Sequence, residues 1–202
     1  RGGRPFVDQL ILGDTLGAGS PRADGWLAMI TTGTAGMSFF DSVEVDELRH
    51  PVLVTERRLL ADHEGAGTFR GAPASQVSFS AHGARLEVLY QSDGTVFPAH
   101  GARGGGAGGP AQNYLTRRDG AREKADGWAT LTLEEGDGVT GISPGGGGYG
   151  PAMARDPKRV AHDVAEGYVS EARARDVYGV VLDGDGVVNE DATHAKRSEP
   201  LT

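Results

Sequence analysis

An α+β fold is what this sequence predicts: mainly β, heavy with glycine-rich loops, and closed by a short helical appendix at the C-terminal end. Three observations lead there. Glycine supplies 33 of 202 residues and aromatics only 6%, a composition suited to tight turns and close backbone approaches. Several short stretches rich in branched residues alternate apolar with polar, the period of half-buried strands. After residue 150 that alternation gives way to capped segments with helical spacing. The expected division is a β-rich body over residues 1–150 and a helical appendix with a polar tail over 151–202.

Residues 6–12 read as a first strand ending at Gly13, and residues 13–25 as an aperiodic loop. Residues 26–32 read as a second strand before the small-residue segment 33–36. Residues 42–47 alternate and read as a third strand, interrupted at Pro51, after which residues 52–60 resume an extended pattern. Residues 75–80 and 85–90 follow as strands, with Asp93-Gly94 as a turn. Residues 113–124 read as a hairpin tipped by Asp119-Gly120. Residues 128–133 alternate most cleanly, with residues 138–143 as the expected partner. Asp156-Pro157 starts a helix, because Asp caps and proline suits the first helical position. Val160 and Val164 share one face and Gly167 stops it. Ser170 caps a second helix running to Tyr178, closed by Gly179. Residues 183–186 form a turn between two short extended pieces, and the chain from Ala192 onward reads as a fraying polar tail.

Hydrophobic residues at 38% and charged residues at 24% describe a folded chain. A formal net charge of −8 disfavours nucleic acid and anionic membrane as partners. The absence of cysteine excludes disulfides, thiolate metal sites and a cysteine nucleophile within the chain, and fits the cytoplasm. No apolar run approaches the ~20 residues that span a bilayer.

Gly145-Gly-Gly-Gly-Tyr-Gly150 matches G-x-G-x-x-G, as does the run from Gly104 to Gly109. A dinucleotide site needs that pattern between a strand and a helix, whose amides receive the pyrophosphate. Pro151 follows the glycines directly, so a structural turn or close backbone packing is the favoured reading. Of the six histidines, His100 lies in Phe97-Pro-Ala-His-Gly-Ala-Arg103, ahead of a glycine run, and is the best placed to face a ligand. Glu44 and Asp46 would share a strand face, where two carboxylates can share a proton or cation; a solvated face is the plainer account. Asp183-Gly-Asp-Gly186 is a turn rather than a calcium loop, its downstream glutamate being too near. There is no G-x-S-x-G elbow. Residue chemistry alone discloses no reaction.

Several segments, in order, resemble one family: residues 42–51, 59–71 and 92–96, then Gly101-Ala-Arg-Gly-Gly-Gly106, residues 145–150, Arg155-Asp-Pro157 and residues 174–180. The order is similar to the C-terminal region of hydantoinase B/oxoprolinase subunits. The resemblance implies a multisubunit, ATP-dependent hydrolase of a cyclic amide such as a hydantoin, 5-oxoproline or lactam, inactive as the single chain. Its alternatives are an acetone- or acetophenone-type carboxylase subunit and a non-catalytic assembly module. It implies a hydantoinase A-like partner carrying ATP and Mg2+. The family's N-terminal region, with its His- and Asp-containing motifs, is expected on another chain or missing here, and no metal is expected in this one. The glycine runs are the expected lining of the shared site. His100 and Arg103 are the catalytic candidates, and Gly104, Gly105, Gly106, Gly147, Gly148 and Tyr149 the substrate-binding ones. A guanidinium fork suits phosphate or carboxylate.

Overall fold

A computed structural model describes residues 6–7, 9–10, 12–13, 17–27 and 41–199. Of the strands expected over residues 6–12 and 26–32, the described residues 6–7, 9–10, 12 and 26–27 lie in no strand and the rest fall outside the described residues, as the segment 33–36 does entirely. The described residues form α1 (Val43–Arg49), β1 (Val52–Leu60), β2 (Ala74–Ala81), β3 (Leu86–Gln91), β4 (Gln112–Thr116), β5 (Arg122–Ala125), β6 (Trp128–Leu133), β7 (Gly138–Ile142), α2 (Pro157–Ala165), α3 (Glu171–Asp176) and α4 (Glu190–Arg197). The α+β, mainly β expectation holds.

Five strands pair antiparallel in the order β1-β2-β7-β4-β5, and β3 pairs with β6 in a second sheet. Ala81, Leu115, Leu133 and Val139 are buried between them, with Phe79, Val88, Tyr90 and Leu131 packed around. Gly141 is glycine because a Cβ there would collide with the Tyr90 hydroxyl. The hairpin expected at residues 113–124 is β4–β5, with Tyr114 opposite Lys124.

Residues 138–143 do form a strand, but it does not pair with β6. β7 lies between β2 and β4, with Thr140 opposite both Ser78 and Tyr114, while Val88 of β3 takes Leu131 of β6. The cause is Asp137. One carboxylate oxygen accepts from Arg117 Nη1 at 2.9 Å and from the Glu134 amide, the other from the Arg118 amide. With Gly136 at φ 86°, this steers the chain out of one sheet and into the other.

Residues 42–47 are a second correction, because they form helix α1 instead of a strand. Glu44 and Asp46 lie in its first turn and Arg49 in its last, the polarity that suits the helix dipole. Pro51 ends the run. Glu47 then accepts the Val54 amide at 2.8 Å, tying the helix to β1.

Between the sheets and the C-terminal helices, four glycine-rich segments hydrogen-bond backbone to backbone. The central one runs from Gly145 to Gly150. Gly145 donates to Gly109 and Gly148 to Gly106, while Gly146 donates to Ala72 and Tyr149 to Phe69. Partners three apart on one segment meet partners three apart on the next, which is the repeat of a polyproline-II-type helix. Gly19 donates to Gly147 and brings in the fourth segment. Such a helix has no internal hydrogen bonds, so neighbours must satisfy its amides.

The C-terminal helices close the bundle. Asp156 caps α2 through the Lys158 amide, Ser170 caps α3 through Arg173, and Asn189 caps α4 through Ala192. Val160, Val169, Ala174, Tyr178 and Val180 bury their side chains together with Ala66 of the glycine bundle. Each fully buried valine contributes about 1.5–3 kcal/mol. The tail expected to fray from Ala192 is instead helical through Arg197. The Arg197 guanidinium donates to the carbonyls of Arg155 and Tyr178, which fixes it.

Candidate functional site

The loop after β3 carries the catalytic candidates. Gly105 donates to the Ala102 carbonyl at 3.0 Å, closing a turn in which Arg103 has φ 53° and Gly104 φ 90°. Two left-handed residues in succession make the mirror-image type I turn. Glycine adopts that conformation freely; an arginine held there is unusual. Both Arg103 and His100 are exposed, and neither side chain has a hydrogen-bond partner among the described residues.

The structure brings the two predicted glycine runs together. A Cβ on Gly147 would strike the His100 carbonyl, and one on Gly105 would strike Gly148 and come within 2.7 Å of the Tyr149 amide. Ala102 donates to Gly148 at 2.9 Å and Gly106 to Ala66 at 2.7 Å. Gly104 and Gly106 lie exposed on the rim with Gly105 half-buried, while Gly147 and Gly148 are buried beneath and Tyr149 is half-buried. The amides of Gly145, Gly146, Gly148, Tyr149 and Gly150 all donate to backbone carbonyls. They are spent on the bundle and make no phosphate cradle of the dinucleotide kind.

Glu44 and Asp46 do not form a carboxylate pair. Two apart on a helix, they do not share a face, and among the described residues no group of three His, Asp or Glu side chains stands close enough to hold a metal. Asp183 accepts the amides of Asp185 and Val187 and closes a simple turn.

Two buried polar clusters escaped the reading of the sequence. In one, Glu64 Oε1 accepts from Arg173 Nε at 2.6 Å and from the Tyr178 hydroxyl at 3.0 Å. Its other oxygen is buried with no partner among the described residues. Burial pushes the Glu64 carboxyl up despite Arg173, and burial beside Glu64 pushes the Tyr178 hydroxyl far above its usual range. His63 stands alongside, held below the usual imidazole value first by burial and then by the Arg173 charge. Gly109 leaves the room its ring needs, since a Cβ there would lie 2.5 Å from Nδ1.

The second cluster joins Asp24, Arg70, Arg155, Arg159 and Asp163. Arg155 spans Asp24 and Asp163, and Arg70 Nε reaches Asp163 at 2.8 Å. Burial raises the Asp24 carboxyl, but the hydrogen bond and charge of Arg155, with Arg70 and Arg159, outweigh it and hold the group below the usual carboxylate range. The only signal for either cluster was indirect. Glu64, Arg70, Arg155, Arg173 and Tyr178 fall within or beside the segments that carry the family likeness.

Sheets locked by hydrogen-bonded glycine segments, with a rim of exposed arginine and histidine, define the class: an antiparallel α+β domain built around a glycine bundle. The chain belongs to the hydantoinase B/oxoprolinase family, whose model matches residues 2–152. It is 34% identical over 204 residues to the caprolactamase subunit beta of Pseudomonas jessenii, covering 96% of this chain and 34% of that protein. It is 28% identical to the acetone carboxylase alpha subunit of Xanthobacter autotrophicus, covering 78% of this chain and 25% of that one. The crystal structure of the ATP-dependent caprolactamase from Pseudomonas jessenii superposes with a TM-score of 0.76 at 29% identity, over 93% of this chain and 33% of that chain. Nucleotide-free acetone carboxylase shares the fold, with a TM-score of 0.71 at 21% identity, over 88% and 28%. The chain spans about a third of the length of the caprolactamase subunit.

Proposed function

We propose that this chain forms part of a subunit of an ATP-dependent hydrolase that opens a cyclic amide, with a lactam as the leading substrate class. The observation that carries the reading is the likeness to caprolactamase subunit beta across 96% of the chain. ATP and Mg2+ bind a hydantoinase A-like partner, the setting is the cytoplasm, and the single chain is inactive. Phosphorylation of the amide oxygen supplies an electrophilic imidate-like carbon. Water then adds at that carbon, the ring C–N bond breaks as the nitrogen takes a proton, and a second water hydrolyses the acyl phosphate so formed, releasing phosphate and the ring-opened amino acid.

Arg103 and His100 serve that second half of the reaction at the rim. The guanidinium meets the phosphate or the nascent carboxylate, and the imidazole moves a proton. Gly104, Gly105 and Gly106 let the substrate approach the backbone, while Gly147, Gly148 and Tyr149 form the layer beneath. Two features support this: both side chains are exposed, and the Arg103 backbone is held left-handed. Residues 1–150 supply the body and residues 151–202 brace it, which the Glu64–Arg173 and Arg70–Asp163 ion pairs support.

The test is ATP turnover by the complex purified from its source, offered a hydantoin, a lactam, and acetone with bicarbonate. Lactam- or hydantoin-stimulated ATP cleavage establishes the reading. Bicarbonate-dependent turnover of acetone replaces it with the carboxylase, the reading favoured by the likeness to the acetone carboxylase alpha subunit. Unchanged turnover in Arg103→Ala and His100→Ala complexes would make the chain an assembly module.

A further inference from the structure

We infer that the cleft between the glycine bundle and α2 is a binding site for a phosphate-type dianion, either inorganic phosphate or a phosphate monoester. The inference is independent of the amide hydrolase reading, and the cleft shares no residue with the proposed rim. Its volume is about 360 Å3, and it is lined by Asp24, Arg70, Arg155, Lys158, Arg159, His162 and Asp163. Four permanent cations therefore face two carboxylates, in a chain whose overall formal charge is −8.

The two carboxylates are already occupied. Asp24 accepts from the Arg70 amide, from both terminal nitrogens of Arg155 and from Arg159. Asp163 accepts from Arg70 Nε and from two nitrogens of Arg155. Donors are left over. Arg70, its side chain only 6% exposed, uses Nε on Asp163 and Nη1 on the Gly71 carbonyl. Its Nη2 has no partner among the described residues. Arg159 uses only Nη2, and the side chains of Lys158 and His162 have no partner among the described residues.

The placement of two of these cations costs stability. Lys158 and Arg159 sit in the first turn of α2, which holds no acidic residue, so their charge opposes the positive end of the helix dipole. An anion in the cleft relieves both that repulsion and the local excess of two positive charges. Its shape follows from the donors. They line the cleft from the glycine bundle (Arg70) and from the first two turns of α2 (Lys158, Arg159 and His162), a non-planar set that suits a tetrahedral oxyanion better than a flat carboxylate.

Isothermal titration of the full 202-residue chain with inorganic phosphate and, separately, methyl phosphate tests this at fixed pH and ionic strength. Saturable one-to-one binding is expected, weakened at least tenfold in Lys158→Gln/His162→Gln. Both side chains are exposed and have no partner among the described residues, and losing Lys158 removes a charge that opposes the helix dipole, so the variant should melt at or slightly above the wild-type temperature. Tighter binding of methyl phosphate assigns the site to a monoester, and tighter binding of inorganic phosphate to the free ion. Absence of saturable binding with both probes, or equal affinity in the variant, overturns the inference.

Discussion

Arg155 and Asp163 meet at 2.7 Å between Nη2 and Oδ2, with side chains only 1% and 2% exposed. The same aspartate takes Arg70 on its other oxygen. One carboxylate at the start of the appendix thereby holds an arginine from the glycine bundle and another from the segment leading into α2, the second shared with Asp24. Breaking a buried pair by removing one partner costs about 3–5 kcal/mol, because the remaining charge is left uncompensated. Asp163→Asn should therefore lower stability by about that amount, read as a fall in the urea midpoint with unchanged slope. A loss under about 1 kcal/mol would mean that water or another carboxylate compensates the two arginines.

Asp24 and Glu64 should give stability opposite dependences on pH. The Asp24 carboxyl is held below its ordinary value of 3.8. Its contribution is present above the unfolded value and lost as pH falls through the folded one. Glu64 is pushed above its ordinary 4.5, so its contribution is full below that value and lost as pH rises through the folded one. In thermal melts across pH, Asp24→Asn should flatten the acid limb, and Glu64→Gln should flatten the decline that begins above pH 4.5. Wild-type slopes in both variants would show that neither carboxylate titrates differently on folding.

Glycine substitutions should separate packing from conformational freedom. A Cβ at Gly71 would overlap the backbone of Gly146, whereas at Gly184 it would meet nothing within 4 Å. Neither residue needs a positive φ. Gly71→Ala should cost about 2 kcal/mol or more, since backbone cannot step aside as a side chain can. Gly184→Ala should be neutral or slightly stabilising, through the entropy of the unfolded chain. Equal melting temperatures for the two variants would refute close packing as the reason for glycine in the bundle.

Local chemistry made much of this fold legible. The Asp156 and Ser170 caps, the Asp119-Gly120 hairpin tip and the branched strands around residues 52–60, 75–80, 85–90 and 128–133 are decided by near neighbours, and each of these stands where the sequence places it. Strand partnership was not legible, because a remote arginine, Arg117, anchors Asp137 and routes β7 into the other sheet. Alternation misread α1, where residues 42–47 are too few to separate the two periods and charge polarity was the better guide. The two glycine runs were recognisable as special, and the structure brings them into contact. The buried clusters around Glu64 and Asp163 were not, since contacts such as Arg70–Asp163, Glu64–Tyr178 and Asp24–Arg159 span 93, 114 and 135 residues and each member alone reads as a surface charge.

Arg103 is the position where stability and function should part. At φ 53° the backbone favours glycine, and the exposed side chain holds nothing among the described residues. Arg103→Gly relieves a left-handed arginine, worth about 1–2 kcal/mol, but adds freedom to the unfolded chain worth about 0.4–1 kcal/mol. The net change should be within about 1 kcal/mol, with the melting temperature level or slightly raised. If the side chain works on substrate, turnover of the complex should fall at least tenfold in the same variant, and Arg103→Lys should restore only part of it, because an ammonium lacks the planar fork. A marked drop in melting temperature would recast Arg103 as a structural brace. Full activity in a stable Arg103→Gly complex would move the chemistry elsewhere.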